Sequence, residues 1–211
     1  MNNIKIVVST ALVDTNNVPL SHRDQRNSLS IDNRYKEYDE CLNIIKSFGY
    51  DFIIMETVKS QDDFLEGFGD VIYTNVNNIN LKNRGSNYLV AMRKLLDTLK
   101  FNDDDMIIHI TGRYPLLDNS FIEKCLLTDK DGLFGKDSYN QFYLFLYALK
   151  YDKLKNILNN LDINILEKTG ENLEKLFSNY LLNDNIEFVE RLGIIGRQSS
   201  SPDSIYGKKI Y

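Results

Sequence analysis

Residues 106–115, Met106-Ile107-Ile108-His109-Ile110-Thr111-Gly112-Arg113-Tyr114-Pro115, give the clearest indication of the fold. The first half of this stretch is apolar and rich in isoleucine, which is typical of a strand buried on both faces of a sheet. Gly112 and Pro115 then break the pattern, because both residue types favour turns. The stretch therefore predicts a buried strand that ends in a sharp turn carrying an arginine. His109, inside the apolar run, is interpreted as a core residue and not as a catalyst.

Shorter apolar runs and amphipathic segments surround this strand in the chain. Strands are predicted at residues 4–9, 51–55 and 70–74. Helices are predicted at residues 34–48 and from Gly85 to Leu99, where apolar side chains recur at helical spacing. Strands that alternate with helices indicate a largely parallel, Rossmann-like sheet with helices on both faces.

The second half of the chain has a more mixed pattern. Helices are predicted at residues 118–126, 153–161 and 172–182, and residues 132–148 are interpreted as strand and bend. We find no internal repeat and no low-complexity linker. For a chain of 211 residues we therefore predict one α/β domain: a mostly parallel sheet flanked by helices, with a mixed second half.

Composition argues against several classes of function. A net charge of −5 and a pI near 5.1 are unfavourable for nucleic-acid binding, which needs a basic surface. The two cysteines are far apart, so neither a disulfide framework nor a zinc site is expected, and a reducing cytoplasm fits best. No apolar stretch reaches the about 18–20 residues of a membrane span, so neither a span nor a secretory leader is expected. The many Asn, Lys and Ile residues are typical of AT-rich genomes, such as those of large viruses or host-associated bacteria, and a virus-encoded protein of this kind is expected to act in the host cytoplasm.

Polar or glycine residues follow every predicted strand of the first half. In an open parallel sheet, ligands bind beyond the carboxyl ends of the strands. We therefore expect these residues to meet in one cleft. They are Ser9-Thr10-Ala11, Glu56-Thr57, Asn75 with Asn77, and Thr111-Gly112-Arg113-Tyr114.

Taken in chain order, these segments resemble the GT-A class of nucleotide-sugar-dependent glycosyltransferases. In that class the loop after the first strand holds the nucleotide base, and a later helix opens with an Asn-x-Gly-like start. The next strand ends at the diphosphate of the donor, usually with an Asp-x-Asp metal motif. Here the segment Lys82-Asn83-Arg84-Gly85-Ser86-Asn87 opens the helix. The resemblance covers roughly residues 4–115.

The turn after the fourth strand departs from the class pattern. Thr111-Gly112-Arg113-Tyr114 stands where Asp-x-Asp is expected, as in a viral and bacterial polysaccharide-type subgroup, and Arg34 with Tyr38 is similar to an Arg-x-x-x-Tyr element of such proteins. Without two spaced carboxylates, any Mn²⁺ or Mg²⁺ has no evident ligands. Arg113 is then expected to bind the phosphate oxygens directly. The alternative is that Arg113 pairs with a carboxylate to hold the turn.

The resemblance implies a donor site in residues 1–115 and an acceptor side in residues 116–211. The implied donor is a nucleoside diphosphate sugar, with a UDP-linked sugar expected first, and the implied acceptor is a glycan or another hydroxyl compound. The nucleotide-sugar-binding residues implied are Ser9, Thr10, Ala11, Leu12, Arg34, Glu56, Tyr73, Asn75, Asn77, Arg84, Gly85, Thr111, Gly112, Arg113 and Tyr114.

An inverting transferase also needs a carboxylate base to deprotonate the acceptor hydroxyl. In similar proteins an acidic residue near the start of a late helix faces the acceptor. This implies Glu174, with Glu171 as the second choice. The alternative is that both acids only complement the helix dipole. The acidic run Asp103-Asp104-Asp105 precedes the central strand, so it is predicted to be a solvated turn at the opposite edge of the sheet and not a metal site.

Two other functions stay open at this stage. A sugar nucleotidyltransferase has a similar sheet, but it usually carries a Gly-rich, basic loop directly after the first strand, and residues 10–17 contain no Gly, Arg or Lys. A non-catalytic interaction module that kept the fold would bind no nucleotide. Nucleotide-induced stabilisation separates this third possibility from the two enzymes.

Overall fold

The computed structural model describes residues 1–12, 31–76, 81, 83–137, 139–196 and 209–210. The first half of the chain forms the strands β1 (Ile4–Thr10), β2 (Phe52–Glu56), β3 (Asp70–Tyr73) and β4 (Met106–Thr111). The helices α1 (Ile31–Ser47), α2 (Asp63–Glu66) and α3 (Arg84–Thr98) lie between them in the chain. The four predicted strands and two predicted helices of this half are confirmed, and the single-turn helix α2 is additional.

The second half contains α4 (Ser120–Leu127), β5 (Gly132–Lys136), β6 (Phe142–Lys150), α5 (Tyr151–Asn160), α6 (Ile163–Thr169), α7 (Leu173–Tyr180) and β7 (Ile186–Phe188). Two short strands follow, β8 (Ile195–Gly196) and β9 (Lys209–Ile210). Residues 132–148, interpreted from the sequence as strand and bend, form the hairpin of β5 and β6. The short elements α6 and β7 were not predicted, because so few residues show no clear periodicity.

The main sheet has seven strands in the order β3-β2-β1-β4-β6-β5-β7. Strand β6 runs antiparallel to both of its neighbours, and the other strand pairs of this seven-stranded sheet are parallel. A hairpin turn can join only antiparallel strands, and residues 137–141 are too short for the crossover that a parallel strand would need. The predicted α/β fold with a mostly parallel sheet is therefore confirmed, with β6 as the exception.

Each face of the sheet has its own core. Val7, Met55 and Ile107 point to the face covered by α3, α5, α6 and α7. Ile6 and Ile108 point to the other face, which α1 and α4 cover. Because side chains alternate along a strand, neighbouring residues at the end of β1 or β4 also point to different faces. Within the described ranges, no helix is long and apolar enough to cross a membrane.

Candidate functional site

The turn after β4 lies at the centre of the carboxyl edge of the parallel strands. The Gly112 N–H donates to the Ser9 carbonyl at 2.9 Å, and the Tyr114 N–H donates to the Thr111 carbonyl at the same distance. A Cβ atom on Gly112 would lie 3.0 Å from Tyr38 of α1 and 3.2 Å from the Ser9 carbonyl oxygen. The turn is therefore pinned to β1 and packed against α1, and only a residue without a side chain fits there without displacement.

Arg113 projects from this pinned turn and is partly exposed. Its guanidinium carbon lies 6.0 Å from the centre of the Tyr114 ring. Across the described part of the chain, none of the ion pairs involves Arg113. The alternative interpretation, that Arg113 holds the turn by pairing with a carboxylate, is not supported by these residues, so its charge is available to a ligand.

Ser9 and Thr111 lie side by side on the other face of the same edge. They are register partners in the parallel pairing of β1 with β4, and both are partly exposed. The Ser9 hydroxyl is 3.0 Å from Nε2 of His109, which lies two residues before Thr111 on β4. The strand ends thus provide two neighbouring hydroxyl groups at the edge, one of them bonded to a buried imidazole.

A cluster of aromatic side chains surrounds that imidazole. The rings of Tyr88 on α3 and Tyr147 on β6 have centroids 5.1 Å and 5.2 Å from His109, and their hydroxyl oxygens are 2.5 Å apart. Burial raises the pKa of both tyrosines well above the ordinary value, so both stay protonated at neutral pH. Sequence analysis placed His109 in the core, which is where it lies, but missed this cluster. The sequence shows that polar residues interrupt apolar runs. Only the antiparallel pairing of β6 with β4 brings Tyr147 beside His109.

The structure distinguishes the two candidate bases. Glu174 lies in the first turn of α7, where Asn172 caps the helix by accepting from the Glu174 N–H at 2.9 Å. Burial raises the pKa of Glu174, and the charge of Asp137 acts in the same direction. The Glu174 charge also raises the pKa of Tyr88, and Phe177, three residues after Glu174 on α7, has its ring centroid 6.1 Å from that of Tyr147. Glu171 instead forms an ion pair with Lys175 at 3.2 Å, so Glu174 is the better candidate.

Glu56, one of the residues implied by the resemblance, is held by hydrogen bonds within the protein. Its side chain is fully buried at the end of β2. One carboxylate oxygen accepts from the Thr10 hydroxyl at 2.6 Å, and the other accepts from the backbone N–H groups of Leu12, Val58 and Lys59 at 3.2, 2.7 and 3.1 Å. Thr10 and Leu12 are themselves buried. Through these hydrogen bonds Glu56 connects the loops that follow β1 and β2, and both of its carboxylate oxygens have partners within the protein.

Gly85 is also used for packing. A Cβ atom there would lie 2.9 Å from the Cβ of Leu173 on α7. The Gly85 N–H donates to the side chain of Asn83 at 2.8 Å, and the Asn83 side-chain amide donates to the carbonyls of Leu166 and Glu171. The start of α3 is therefore fastened to the start of α7 by a close approach that only glycine permits. Gly85 and the Arg113 turn face different sides of the sheet.

Other residues assigned from the resemblance have varied surroundings. The Tyr73 hydroxyl accepts from the Asp62 N–H at 2.8 Å and lies 3.0 Å from a carboxylate oxygen of Glu66, so it holds the start of α2. Arg34 is buried, and Asn75 is exposed with a φ of 52°. The Ala11 N–H donates to the Tyr38 hydroxyl at 2.8 Å. Asn77 and the side chain of Arg84 lie outside the described residues.

The donor atoms at the turn after β4 do not suit a divalent metal ion. Mg²⁺ and Mn²⁺ prefer carboxylate oxygens, whereas this turn offers Thr111, Gly112 and the cationic Arg113. In the ranges that the structure describes, no group of three or more His, Cys, Asp or Glu side chains is placed to hold a metal. The acidic run at residues 103–105 precedes β4, where Asp105 accepts from the Asn3 side-chain amide at 2.6 Å. We therefore derive no step through a metal ion.

Comparison with known proteins supports the fold. No protein-family model matches the sequence, and no curated protein matches it. A putative glucose-1-phosphate thymidylyltransferase from Bacillus anthracis has a TM-score of 0.57 and 11% identity, with 90% of this chain and 87% of that chain covered. The galactosyltransferase LgtC, in complex with donor and acceptor sugar analogues, has a TM-score of 0.54 and 11% identity, with 88% and 73% covered.

A third similar structure is S. aureus TarS 1-349, with a TM-score of 0.52, 10% identity and coverage of 91% of this chain and 59% of that chain. Likeness at this level of identity shows a shared fold. The chain therefore has the α/β fold that GT-A-type glycosyltransferases share with nucleotidyltransferases, and its function has to be argued from its own residues.

The contact between α3 and α7 gives a prediction about stability. Replacing Gly85 with alanine is expected to lower the free energy of unfolding by about 1–3 kcal/mol, because the new methyl group would overlap Leu173. Chemical denaturation measures the change. The neighbouring variant Ser86→Ala is the control: its buried hydroxyl has no hydrogen-bond partner among the described residues, so its removal is expected to be neutral or stabilising. A stabilised Gly85→Ala protein, gaining the roughly 1 kcal/mol of helix propensity, would contradict the close approach.

Proposed function

We propose that the chain is a glycosyltransferase that moves a sugar from a nucleoside diphosphate sugar, UDP-linked in the first instance, to a hydroxyl group of a glycan or similar acceptor. The observation that carries the proposal is the position of Arg113, which forms none of the described ion pairs, in the turn that ends β4 at the carboxyl edge of the sheet. Glu174, which is partly buried in the first turn of α7, is the candidate carboxylate, and it lies three residues before Phe177, whose ring centroid is 6.1 Å from that of Tyr147. The shared fold is compatible with this chemistry.

In the proposed reaction, the acceptor oxygen attacks the anomeric carbon while the bond from that carbon to the diphosphate oxygen breaks. The leaving diphosphate gains negative charge, and the Arg113 guanidinium stabilises it through charge-assisted hydrogen bonds. Glu174 takes the acceptor proton as the general base of an inverting reaction. The raised pKa makes Glu174 a stronger base than an exposed glutamate, because burial disfavours its ionised form.

The experiment that tests the proposal combines binding with product analysis. Thermal unfolding is measured with UDP, other nucleoside diphosphates and their sugars, each with and without Mn²⁺. A donor that binds the folded state raises the midpoint in proportion to its concentration over Kd. Release of UDP from a bound UDP-sugar supports a glycosyltransferase, whereas release of pyrophosphate from UTP and a sugar phosphate supports a nucleotidyltransferase. No stabilisation by any nucleotide would reject both.

Replacing Glu174 with glutamine is expected to lower activity and to raise thermal stability at neutral pH. Glu174→Gln is expected to lower kcat by about 100-fold or more, because the general base is lost. In the folded state the pKa of Glu174 is raised, so the stability present below the unfolded pKa is lost as pH rises through the folded pKa. The glutamine mimics the uncharged form, so the variant is expected to unfold at a higher temperature than the wild type at neutral pH.

The matched control is Glu171→Gln, which removes a paired carboxylate two residues before the first residue of α7. It is expected to change kcat by less than about threefold. Activity and unfolding midpoints are measured between pH 5 and 8 for both variants. If the two variants lose activity equally, or if Glu174→Gln lowers the midpoint at neutral pH, the assignment of Glu174 is wrong.

A further inference from the structure

The ends of β1 and β4 form the topological switch point of the sheet. The two strands are neighbours, but the chain leaves β1 toward β2 on one side and leaves β4 toward β5 and β6 on the other. Ligands of open α/β sheets bind at such a point, because the connecting segments diverge there. The segment that follows β1 and the turn that carries Arg113 therefore form the two sides of the site.

One side chain of α1 contacts both sides of the switch point. The hydroxyl of Tyr38 accepts from the Ala11 N–H at 2.8 Å and donates to the Ala11 carbonyl oxygen at 3.2 Å. The Tyr38 ring lies 3.0 Å from the position that a Cβ atom on Gly112 would occupy. Tyr38 is only 2% exposed, so close packing holds the ring in this place.

The two sides of the site depend on Tyr38 in different ways. The turn also has contacts of its own, because the Gly112 N–H donates to the Ser9 carbonyl and the Cys41 thiol of α1 lies 3.9 Å from the Tyr114 carbonyl oxygen. Ala11 has less support. Among the described residues its main-chain N–H and carbonyl have the Tyr38 hydroxyl as their hydrogen-bond partner and no main-chain partner.

The proposed reaction assigns a part of the donor to each side. Glu174 belongs to α7, which packs against β6, so the anomeric carbon has to lie on the β6 side of Arg113 for the base to serve the attacking hydroxyl. The nucleoside is attached to the opposite end of the diphosphate. It therefore extends from Arg113 toward β1 and Ala11, since β1 is the other neighbour of β4.

We propose that Tyr38 is a positioning residue that holds the segment after β1 for the nucleoside through its hydroxyl and the Arg113 turn for the diphosphate through its ring. The inference rests on the proposed function and adds to it a residue that touches neither the donor nor the acceptor. Because the two contacts use different parts of one side chain, two substitutions separate them. Tyr38→Phe removes only the hydroxyl, and Tyr38→Leu also removes the ring.

The two contacts are tested first without a ligand, by amide hydrogen exchange. Tyr38→Phe is expected to speed the exchange of the Ala11 amide by about fivefold or more, the effect of losing one neutral hydrogen bond, and to leave the Gly112 amide unchanged. Tyr38→Leu is expected to speed the exchange of both amides. An Ala11 amide that exchanges equally fast in the wild type and in Tyr38→Phe would overturn the proposal.

The consequence for binding is measured by titration with UDP and with pyrophosphate. Tyr38→Phe is expected to weaken the binding of UDP by about three- to tenfold and that of pyrophosphate by less than about twofold. Tyr38→Leu is expected to weaken both. The matched control is Tyr35→Phe, which removes another α1 hydroxyl, bonded to Lys59 and Asp62, and is expected to change neither affinity.

The outcomes separate this inference from the proposed function. If the wild-type protein binds neither ligand, the proposed function fails, and the positioning role fails with it even where amide exchange responds as expected. If the wild type binds UDP and Tyr38→Phe binds it equally well, only the inference about Tyr38 is overturned. Equal losses for UDP and pyrophosphate in Tyr38→Phe, or an equal loss of UDP binding in Tyr35→Phe, would also overturn it.

Discussion

Replacing Arg113 with alanine is expected to weaken the binding of UDP by about 10- to 150-fold, because a hydrogen bond to a charged group contributes about 1.5–3 kcal/mol. The turn that carries Arg113 is pinned through Gly112 to Ser9 and packed against Tyr38. The loss is therefore expected to come from the missing guanidinium and not from a rearranged turn. Isothermal titration at two salt concentrations measures it.

The controls for this prediction use other basic positions. Arg113→Lys keeps the charge but loses the planar pair of donors, so an intermediate loss is expected. Arg191→Ala removes an exposed arginine elsewhere and is expected to leave binding unchanged. If Arg113→Ala binds UDP as tightly as the wild type while its unfolding midpoint is unaltered, Arg113 does not bind the phosphates.

Glu56→Ala is expected to produce the largest loss of stability, about 3–5 kcal/mol. The truncation leaves the buried Thr10 hydroxyl and Leu12 N–H, and the partly buried N–H groups of Val58 and Lys59, without their acceptor. Each unsatisfied buried donor costs about 1–3 kcal/mol, and water entering the vacated space offsets part of the sum. Because domains of this size are stable by only about 5–15 kcal/mol, unfolding in urea should begin at a much lower concentration.

Two variants bracket this result. Glu56→Gln keeps one oxygen that can accept hydrogen bonds, but its NH₂ group would face other hydrogen-bond donors. A smaller loss of stability than in Glu56→Ala is therefore expected. Glu190→Ala changes an exposed glutamate and is expected to shift stability by less than about 0.5 kcal/mol. If the free energy of unfolding of Glu56→Ala is within about 1 kcal/mol of the wild-type value, the hydrogen bonds of Glu56 to the loops after β1 and β2 are dispensable.

The comparison of Arg113 with Glu56 shows how far sequence reasoning reached into the site. Both residues directly end or follow a buried strand, so both were expected to face a ligand. Arg113 lies in a turn that projects from the sheet. The side chain of Glu56 instead points to the face covered by α1 and is buried by neighbouring residues. A residue at the end of a predicted strand can be assigned to one edge of the sheet. The sequence does not show which groups surround its side chain there.

Glu174 and Gly85 illustrate the same limit in the second half of the site. The spacing of apolar residues predicts α3 and α7, and the caps Asn83 and Asn172 lie one residue before each helix. That the two helix starts touch through Gly85 and Leu173 could not be predicted, because the contact joins segments far apart in the chain. The burial of Glu174 in the folded chain, which raises its pKa, could not be predicted from the sequence either.

Local patterns in the sequence predict the order of strands and helices and a mostly parallel sheet, because periodicity and turn residues are local properties. The antiparallel direction of β6, and with it the contact between Tyr147 and His109, appear only in the folded chain. Hydrogen-bond partners, burial and the resulting pKa shifts arise between distant segments. They are fixed when the chain packs, and no single stretch of sequence contains them.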